Sequence, residues 1–250
     1  MKIVRFAHNG VEHWGLLDDN RVRTLPDGPF GEIVPSQDAL PLEAVKLLAP
    51  VKPGKLVCVG LNYVLHARES GLALPDEPML FMCSPQAIIG PGDAIVLDSH
   101  DKRIEFEAEL AIVIGKRARN VSAAEAESVV LGYTCANDVS NRDLQLKDKQ
   151  FTRAKSFDTY KPVGPWIETE LNPDTQSIRL LQNGTVRQDS TTADMIFPTS
   201  FIIEFVSSVM TLEPGDVIIT GTPSGVGPMK SGDRITVEIA GIGTLENTVQ

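Results

Sequence analysis

Apolar residues in this chain fall mostly into short runs and alternations separated by turn residues, and only rarely at helical spacing. That pattern predicts strands. Asn9-Gly10 reads as a hairpin turn between Ile3–Phe6 and Val11–Leu17, and Asp18-Asp19-Asn20 turns the chain again into Arg21–Leu25. Further strands are expected at Lys55–Val59, Met79–Met82, Ala94–Leu97, Glu105–Ile114, Val130–Ala136, Ile178–Leu181, Val186–Asp189, Val217–Thr220, Ile235–Ile239 and Thr244–Val249. Pro91-Gly92-Asp93 and Pro214-Gly215-Asp216 supply turn chemistry before two of these runs. Leu42, Val45 and Leu48 recur at helical spacing before Pro50, and Phe201, Ile202, Phe205, Val206 and Val209 mark an amphipathic helix. Shorter helices are expected at Tyr63–Ser70, at Ser140–Leu146, and after a Ser122/Glu125 capping box. Val51-Lys52-Pro53-Gly54 reads as a linker. It divides a small N-terminal β domain, 1–52, from a main domain, 53–250. Strands do not alternate regularly with helices, so a doubly wound parallel sheet is disfavoured. The expected fold is mainly β (α+β), a large mixed-sheet roll or sandwich with a few short helices.

One strand carries unusual chemistry. Glu105, Glu107 and Glu109 occupy alternate positions and lead straight into the apolar run Leu110–Ile114. A strand has a side-chain period of two, so all three carboxylates leave one face, roughly 6–7 Å apart at the backbone. Acids entering a buried strand need a cation, a proton or donors. Oxygen ligands at this spacing suit Mg²⁺ or Mn²⁺, while a solvated edge strand near Lys102 and Arg103 is the alternative. Asp138, at the end of the run Val129–Ala136, reads either as a third ligand or as a helix N-terminal acid. His66 and Glu69 stand three apart on an expected helix, where they form a proton-transfer pair or a surface ion pair. Lys155 lies in a segment read as a loop bounded by Pro162 and Pro165, available to a carboxylate or an anionic substrate or else simply solvated. The loop Gly221-Thr222-Pro223-Ser224-Gly225-Val226-Gly227 follows a strand and offers backbone donors to an anion. It lacks the Gly-Lys-Ser/Thr ending of a Walker loop, and no Gly-x-Ser-x-Gly elbow occurs.

Composition narrows the field. The net charge of −10 and the absence of a basic stripe argue against nucleic acid or an anionic membrane as partner. The three cysteines, Cys58, Cys83 and Cys135, show no Cys-x-x-Cys spacing, so neither a zinc site nor a disulfide framework is expected. No signal-like or membrane-length apolar run is present, and a cytoplasmic location is the expectation.

Over roughly residues 54–250 the chain resembles the fumarylacetoacetate hydrolase superfamily. The resemblance rests on Gly60-Leu-Asn-Tyr63-x-x-His66-x-x-Glu69, Ile89-Gly-Pro-Gly-Asp93, Glu107-Ala-Glu109-Leu, Asn137-Asp138-Val-Ser-x-Arg142-Asp143-x-Gln145, Lys155-Ser-Phe-Asp-Thr159 and Thr220-Gly-Thr-Pro-x-Gly-Val-Gly227, in family order. The branch it looks most like contains 2-hydroxyhepta-2,4-diene-1,7-dioate isomerases and acylpyruvase-like enzymes, whose small N-terminal domain resembles residues 1–50.

The resemblance implies a twisted β-roll, usually dimeric, so a homodimer is expected. It implies that Glu107, Glu109 and Asp138 bind one Mg²⁺ or Mn²⁺ per chain and that Glu105 is not a ligand. It places Lys155 beside the ion and makes His66 and Glu69 a water-activating dyad. Tyr63, Arg142, Gln145, Gly221 and Thr222 are implied to contact substrate. The substrate class is a small 2-oxo acid or dicarboxylate. The intact dyad points to hydrolytic cleavage of a carbon–carbon bond in an acylpyruvate, with isomerisation, oxaloacetate decarboxylation or oxo-acid binding without turnover as alternatives. Cys83, where a lysine is frequent, Leu65, where an aspartate is common, and Asn141, where a small residue is usual, depart from the pattern.

Overall fold

The computed structural model describes residues 1–250. Strands dominate, in a 12-stranded mixed sheet, a 3-stranded sheet and a 5-stranded sheet. Most pairings are antiparallel; Val217–Ile219 with Leu56–Val59 is among the parallel ones.

Ala108–Ile114 sits inside the large sheet between Val130–Asn137 and Val217–Ile219. Leu110, Ile112 and Ile114 enter the main hydrophobic core, while Ala111 and Val113 enter a second core on the opposite face. Burial on both faces explains why this run is continuously apolar rather than alternating. Each fully buried Leu or Ile contributes about 1.5–3 kcal/mol relative to exposure, enough to hold the strand in register.

The expected strand Glu105–Ile114 is in fact two, Ile104–Phe106 and Ala108–Ile114, with Glu107 at the break. The first joins the 3-stranded sheet against Ser140–Asn141 and Gly227–Pro228. The break leaves no backbone polar group of Glu107 stranded. Its N–H donates to Asn137 Oδ1 at 2.9 Å, and its carbonyl accepts from Asp138 N–H at 2.9 Å.

The segment after Lys155 also differs from expectation. Lys155 ends a short helix, Thr152–Lys155, and Lys161–Glu168 is a strand despite Pro162 and Pro165. This strand pairs with Val130–Asn137, with Ile88–Ile89 and, at Ile167 and Glu168, with Ile3 and Lys2. The N-terminal strands thereby continue the large sheet, although Val4, Phe6, Leu17 and Val22 build a small core of their own.

The helix expected around Leu42–Leu48 is a three-residue 3-10 turn followed by a strand, Lys46–Leu48, paired with Arg5–Ala7. Sheet pairing outweighs a weak local periodicity. Ser122 Oγ donates to Glu125 Oε2 at 2.6 Å, but only a 3-10 turn, Ala126–Val129, follows. The helices Val64–Glu69, Arg142–Asp148 and Thr199–Val209 form near the expected places, the second starting after the strand Ser140–Asn141 rather than at Ser140 and capped by Asn141 Oδ1 on Leu144 N–H at 3.1 Å.

Candidate active site

Glu107, Glu109 and Asp138 converge, with one carboxylate oxygen of each within 4.8 Å of the others. All three are buried. Glu107 stands at the break between the two strands and Glu109 just after it, in Ala108–Ile114, and Asp138 follows the end of Val130–Asn137, which pairs Ala108 with Asn137. The strand end, rather than a helix cap, is what places Asp138 here.

Cations surround two of the three acids. Lys155, 3 % exposed, donates to Glu107 Oε2 and to Asp138 Oδ2 at 2.6 Å each. Arg142 donates to Glu107 Oε1, to Glu105 Oε2 at 2.6 Å and to Gln145 Oε1 at 2.8 Å. Arg103 Nε meets Glu105 Oε1 at 2.5 Å. Burial raises the Glu107 carboxyl, but Arg142 and Lys155 outweigh it and hold it at about 2. Burial lowers the Lys155 ammonium, and Asp138 and Glu107 more than reverse that, leaving it charged. Glu109 makes no ion pair; its direct donor is Gly221 N–H, 2.5 Å from Oε2. Burial, then the neighbouring Asp138 and Glu107 carboxylates, push its carboxyl well above the ordinary range. A buried acid with no cation, next to two more, is a donor set a hard divalent ion would complete.

A cavity of about 500 Å³ opens onto this cluster, lined by Glu105, Glu107, Glu109, Arg142, Gln145, Lys155, Thr222 and His66 at one end and by Leu72, Met79, Phe81, Leu146 and Phe151 at the other. A larger cavity, about 640 Å³ beside Tyr133 and Asp174, holds none of these acids and lies apart from the chemistry. His66 Nδ1 is 3.4 Å from Glu69 Oε2, a long contact, and the Glu69 oxygens accept from Gly225 N–H at 3.1 and 3.3 Å.

Of the residues implied to contact substrate, Tyr63 and Gly221 lie off the cavity wall, and the Thr222 hydroxyl is already bonded. Tyr63 is buried, does not line the cavity, and its hydroxyl has no partner. Gly221 also lies off the cavity wall, its amide given to Glu109. The Thr222 hydroxyl donates its one proton to the Ala108 carbonyl at 2.9 Å and accepts from Gln188 Nε2 at 2.9 Å. Arg142 and Gln145 do line the cavity, with the guanidinium committed to Glu105, Glu107 and Gln145. Glu105 stays outside the convergent acid cluster as a counter-ion to Arg103 and Arg142.

Two residues at the site escaped the sequence reading. Gln188, fully buried, links Ala108 N–H to the Thr222 loop. Lys161, also fully buried, lies 2.7 Å from Asp138 Oδ1. That contact falls outside hydrogen-bonding angles, and Oδ1 has no hydrogen-bond partner. A lysine between Tyr160 and Pro162 carries no pattern that marks it as buried.

The sequence pattern of the fumarylacetoacetate (FAA) hydrolase C-terminal family matches residues 55–250. The chain belongs to the fumarylacetoacetate hydrolase family. An N-terminal pattern, Rv2993c-like, matches residues 1–50. The fold matches the crystal structure of 2-hydroxyhepta-2,4-diene-1,7-dioate isomerase from Mycobacterium marinum with TM-score 0.93 and 42% identity, covering 100% of this chain and 98% of that one. It matches maleylpyruvate hydrolase from Sphingobium sp. SYK-6, in complex with manganese(II) and pyruvate, with TM-score 0.84 and 30% identity over 100% and 98% of the two chains. In sequence the chain is 43% identical, over 84% of its length and 71% of the relative's, to the mitochondrial oxaloacetate tautomerase FAHD2A of Bos taurus. Family members of this kind are enzymes, with isomerase, hydrolase and tautomerase activities among them. No helix is long and apolar enough to cross a membrane.

Proposed function

We propose that this protein is a divalent-metal-dependent enzyme that forms the enolate of a small 2-oxo acid and moves a proton on it, as a tautomerase or isomerase. One observation carries the reading: three buried carboxylates converge beside Lys155, and Glu109 alone among them has no cation. Glu107, Glu109 and Asp138 would hold one Mg²⁺ or Mn²⁺. When bound, such an ion supplies positive charge that polarises the 2-oxo group and stabilises the enolate, which carries one more negative charge than the substrate, more than the substrate itself.

The chain's own groups supply the rest. Lys155 presents a second positive charge where the oxyanion develops. Arg142 holds Glu107 Oε1 while Lys155 holds Oε2, fixing the carboxylate, and the guanidinium is committed to acids and Gln145. His66 lines the cavity that opens onto the three acids and is the residue available to move a proton at C3. Glu69, anchored on Gly225 N–H, orients the imidazole. Leu72, Met79 and Phe81 make the distal half of the cavity apolar.

Proton transfer is preferred to hydrolysis for two reasons. The His66–Glu69 contact is long at 3.4 Å, a loose arrangement for delivering hydroxide. The tautomerase and isomerase relatives are also more similar to this chain, at 43% and 42% identity, than the maleylpyruvate hydrolase at 30%. Hydrolytic cleavage of an acylpyruvate is the second reading, favoured by the His66–Glu69 pair at the cavity wall; a catalytic contact that is long without ligand often tightens with substrate.

The test is exchange of the C3 protons of oxaloacetate and an acylpyruvate in D₂O with Mg²⁺, followed by NMR. The proposal expects metal-dependent exchange or enol–keto conversion with the carbon skeleton intact. Separate cleavage products support the hydrolase reading instead, CO₂ release supports decarboxylation, and no reaction with any 2-oxo acid contradicts all of them.

A further inference from the structure

Lys161 opens the strand Lys161–Glu168 and is fully buried. An ammonium there is costly unless its charge is balanced and its protons are all bonded. Its one acidic partner is Asp138, 2.7 Å away at Oδ1. Its three protons go elsewhere: Nζ donates to the carbonyls of Lys155, of Tyr160 at 3.1 Å and of Val139 at 3.3 Å. A lysine has three donors and no more. Asp138 Oδ1 therefore receives charge but no hydrogen bond, and is a buried carboxylate oxygen with its lone pairs unused. The other oxygen, Oδ2, accepts from Lys155 at 2.6 Å. The carbonyls that Lys161 gathers belong to the catalytic lysine itself and to the residue after Asp138. The Lys155 ammonium on the other side of Asp138 and the buried thiols of Cys58 and Cys83 complete its surroundings.

We infer that Lys161 is a positioning residue of the metal centre: it holds the backbone of Lys155 and Val139 around Asp138 and sets its charge beside Asp138 Oδ1 while leaving that oxygen free of hydrogen bonds. The inference rests on reading Glu107, Glu109 and Asp138 as metal ligands. It adds to that reading a residue outside the motifs, which touches neither cavity nor substrate. A neutral amide at this place would keep two donors for the three carbonyls but leave Asp138 without its buried counter-charge. A purely apolar side chain would lose both.

The experiment compares wild-type protein with K161Q and K161M. Mn²⁺ binding is measured by calorimetry, the bound ion by its EPR spectrum, and folding by thermal denaturation. Residues that orient metal ligands typically change metal affinity or activity by about 10–100-fold when replaced. K161Q, which keeps two N–H donors for the three carbonyls, is expected to fold, to bind Mn²⁺ at least about tenfold more weakly and to give a broadened EPR spectrum. K161M is expected to show the same loss with a larger fall in melting temperature. A folded K161Q whose Mn²⁺ affinity and EPR spectrum equal those of wild type overturns the inference, because a merely structural lysine would change only the melting temperature. If wild-type protein itself binds no Mn²⁺, the ligand reading falls and the inference falls with it. Wild-type binding with unaltered variants sinks the inference alone.

Discussion

The amide of Gly221 donates to Glu109 Oε2 at 2.5 Å, tying the loop after the strand Val217–Ile219 to the one acid of the cluster without a cation. Gly221 sits at φ +97°, and a Cβ there would lie 2.8 Å from Asn62 Cβ and 2.9 Å from the Gly60 carbonyl. Only glycine brings the amide so close. Gly221→Ala is expected to cost about 1–3 kcal/mol through backbone strain and to weaken Mg²⁺ binding through Glu109. Denaturant unfolding and calorimetry measure the two effects; a variant with wild-type values for both contradicts this account of the loop.

The two glutamates give opposite pH signatures. Glu109 titrates above its unfolded value, so in metal-free protein its contribution is fully present below about pH 4.3 and is lost as pH rises through the folded value. Glu107, held at about 2, contributes stability above about pH 4.3 that is lost as pH falls toward 2. A divalent ion needs Glu109 ionised and competes with its proton. The stabilisation by Mg²⁺ is therefore expected to grow as pH rises from the ordinary glutamate value toward neutrality. Melting curves with Mg²⁺ and with chelator across that range check it, and a pH-independent Mg²⁺ effect would speak against Glu109 as a ligand.

Arg142 bridges Glu105 and Glu107, both buried. Arg142→Met leaves two acids without that partner. Breaking a buried pair in this way costs about 3–5 kcal/mol, and urea denaturation should register a loss of that size. A loss under about 1 kcal/mol, the range of exposed ion pairs, would show that the guanidinium is dispensable to the cluster.

Much of this site was legible in the sequence because its chemistry is local. Glu107 and Glu109 share a strand period, His66 and Glu69 share a helix turn, and Asn137-Asp138 ends an apolar run. What escaped depends on distant parts of the chain. The break at Glu107 is made by Asn137 and Asp138, about 30 residues on. Pro162 and Pro165 hid the strand that carries Lys161, because proline removes ladder donors and reads as loop chemistry. That strand nevertheless has three partners. Leu42, Val45 and Leu48 carry a helical spacing that pairing with Arg5–Ala7 overrides. The fates of Tyr63 and of the Thr222 hydroxyl depend on Met195, Gln188 and Ala108, which no motif near them announces.

His66→Ala should leave Mn²⁺ binding intact and lower turnover by about 10²–10⁴-fold, the usual weight of a positioned acid or base. Glu69→Gln separates the two functional readings. A tautomerase needs Glu69 only to orient the imidazole and should keep most of its rate. A hydrolase that activates water through the pair should lose cleavage as severely as with His66→Ala. Equal metal affinity in all three proteins is required for either comparison to bear on chemistry.

The most direct test of the metal-centre reading is calorimetric titration of Mn²⁺ into wild-type protein and into Glu109→Gln, each with and without oxalate as a mimic of the enolate. Glu109→Gln removes the charge that the cation-free carboxylate would give to an ion while leaving Arg142, Lys155 and Lys161 with their partners. The account predicts one saturable Mn²⁺ per wild-type chain, tightened by oxalate, and at least about a tenfold loss of affinity in the variant. Identical titrations of the two proteins, or oxalate binding that ignores Mn²⁺, would contradict it.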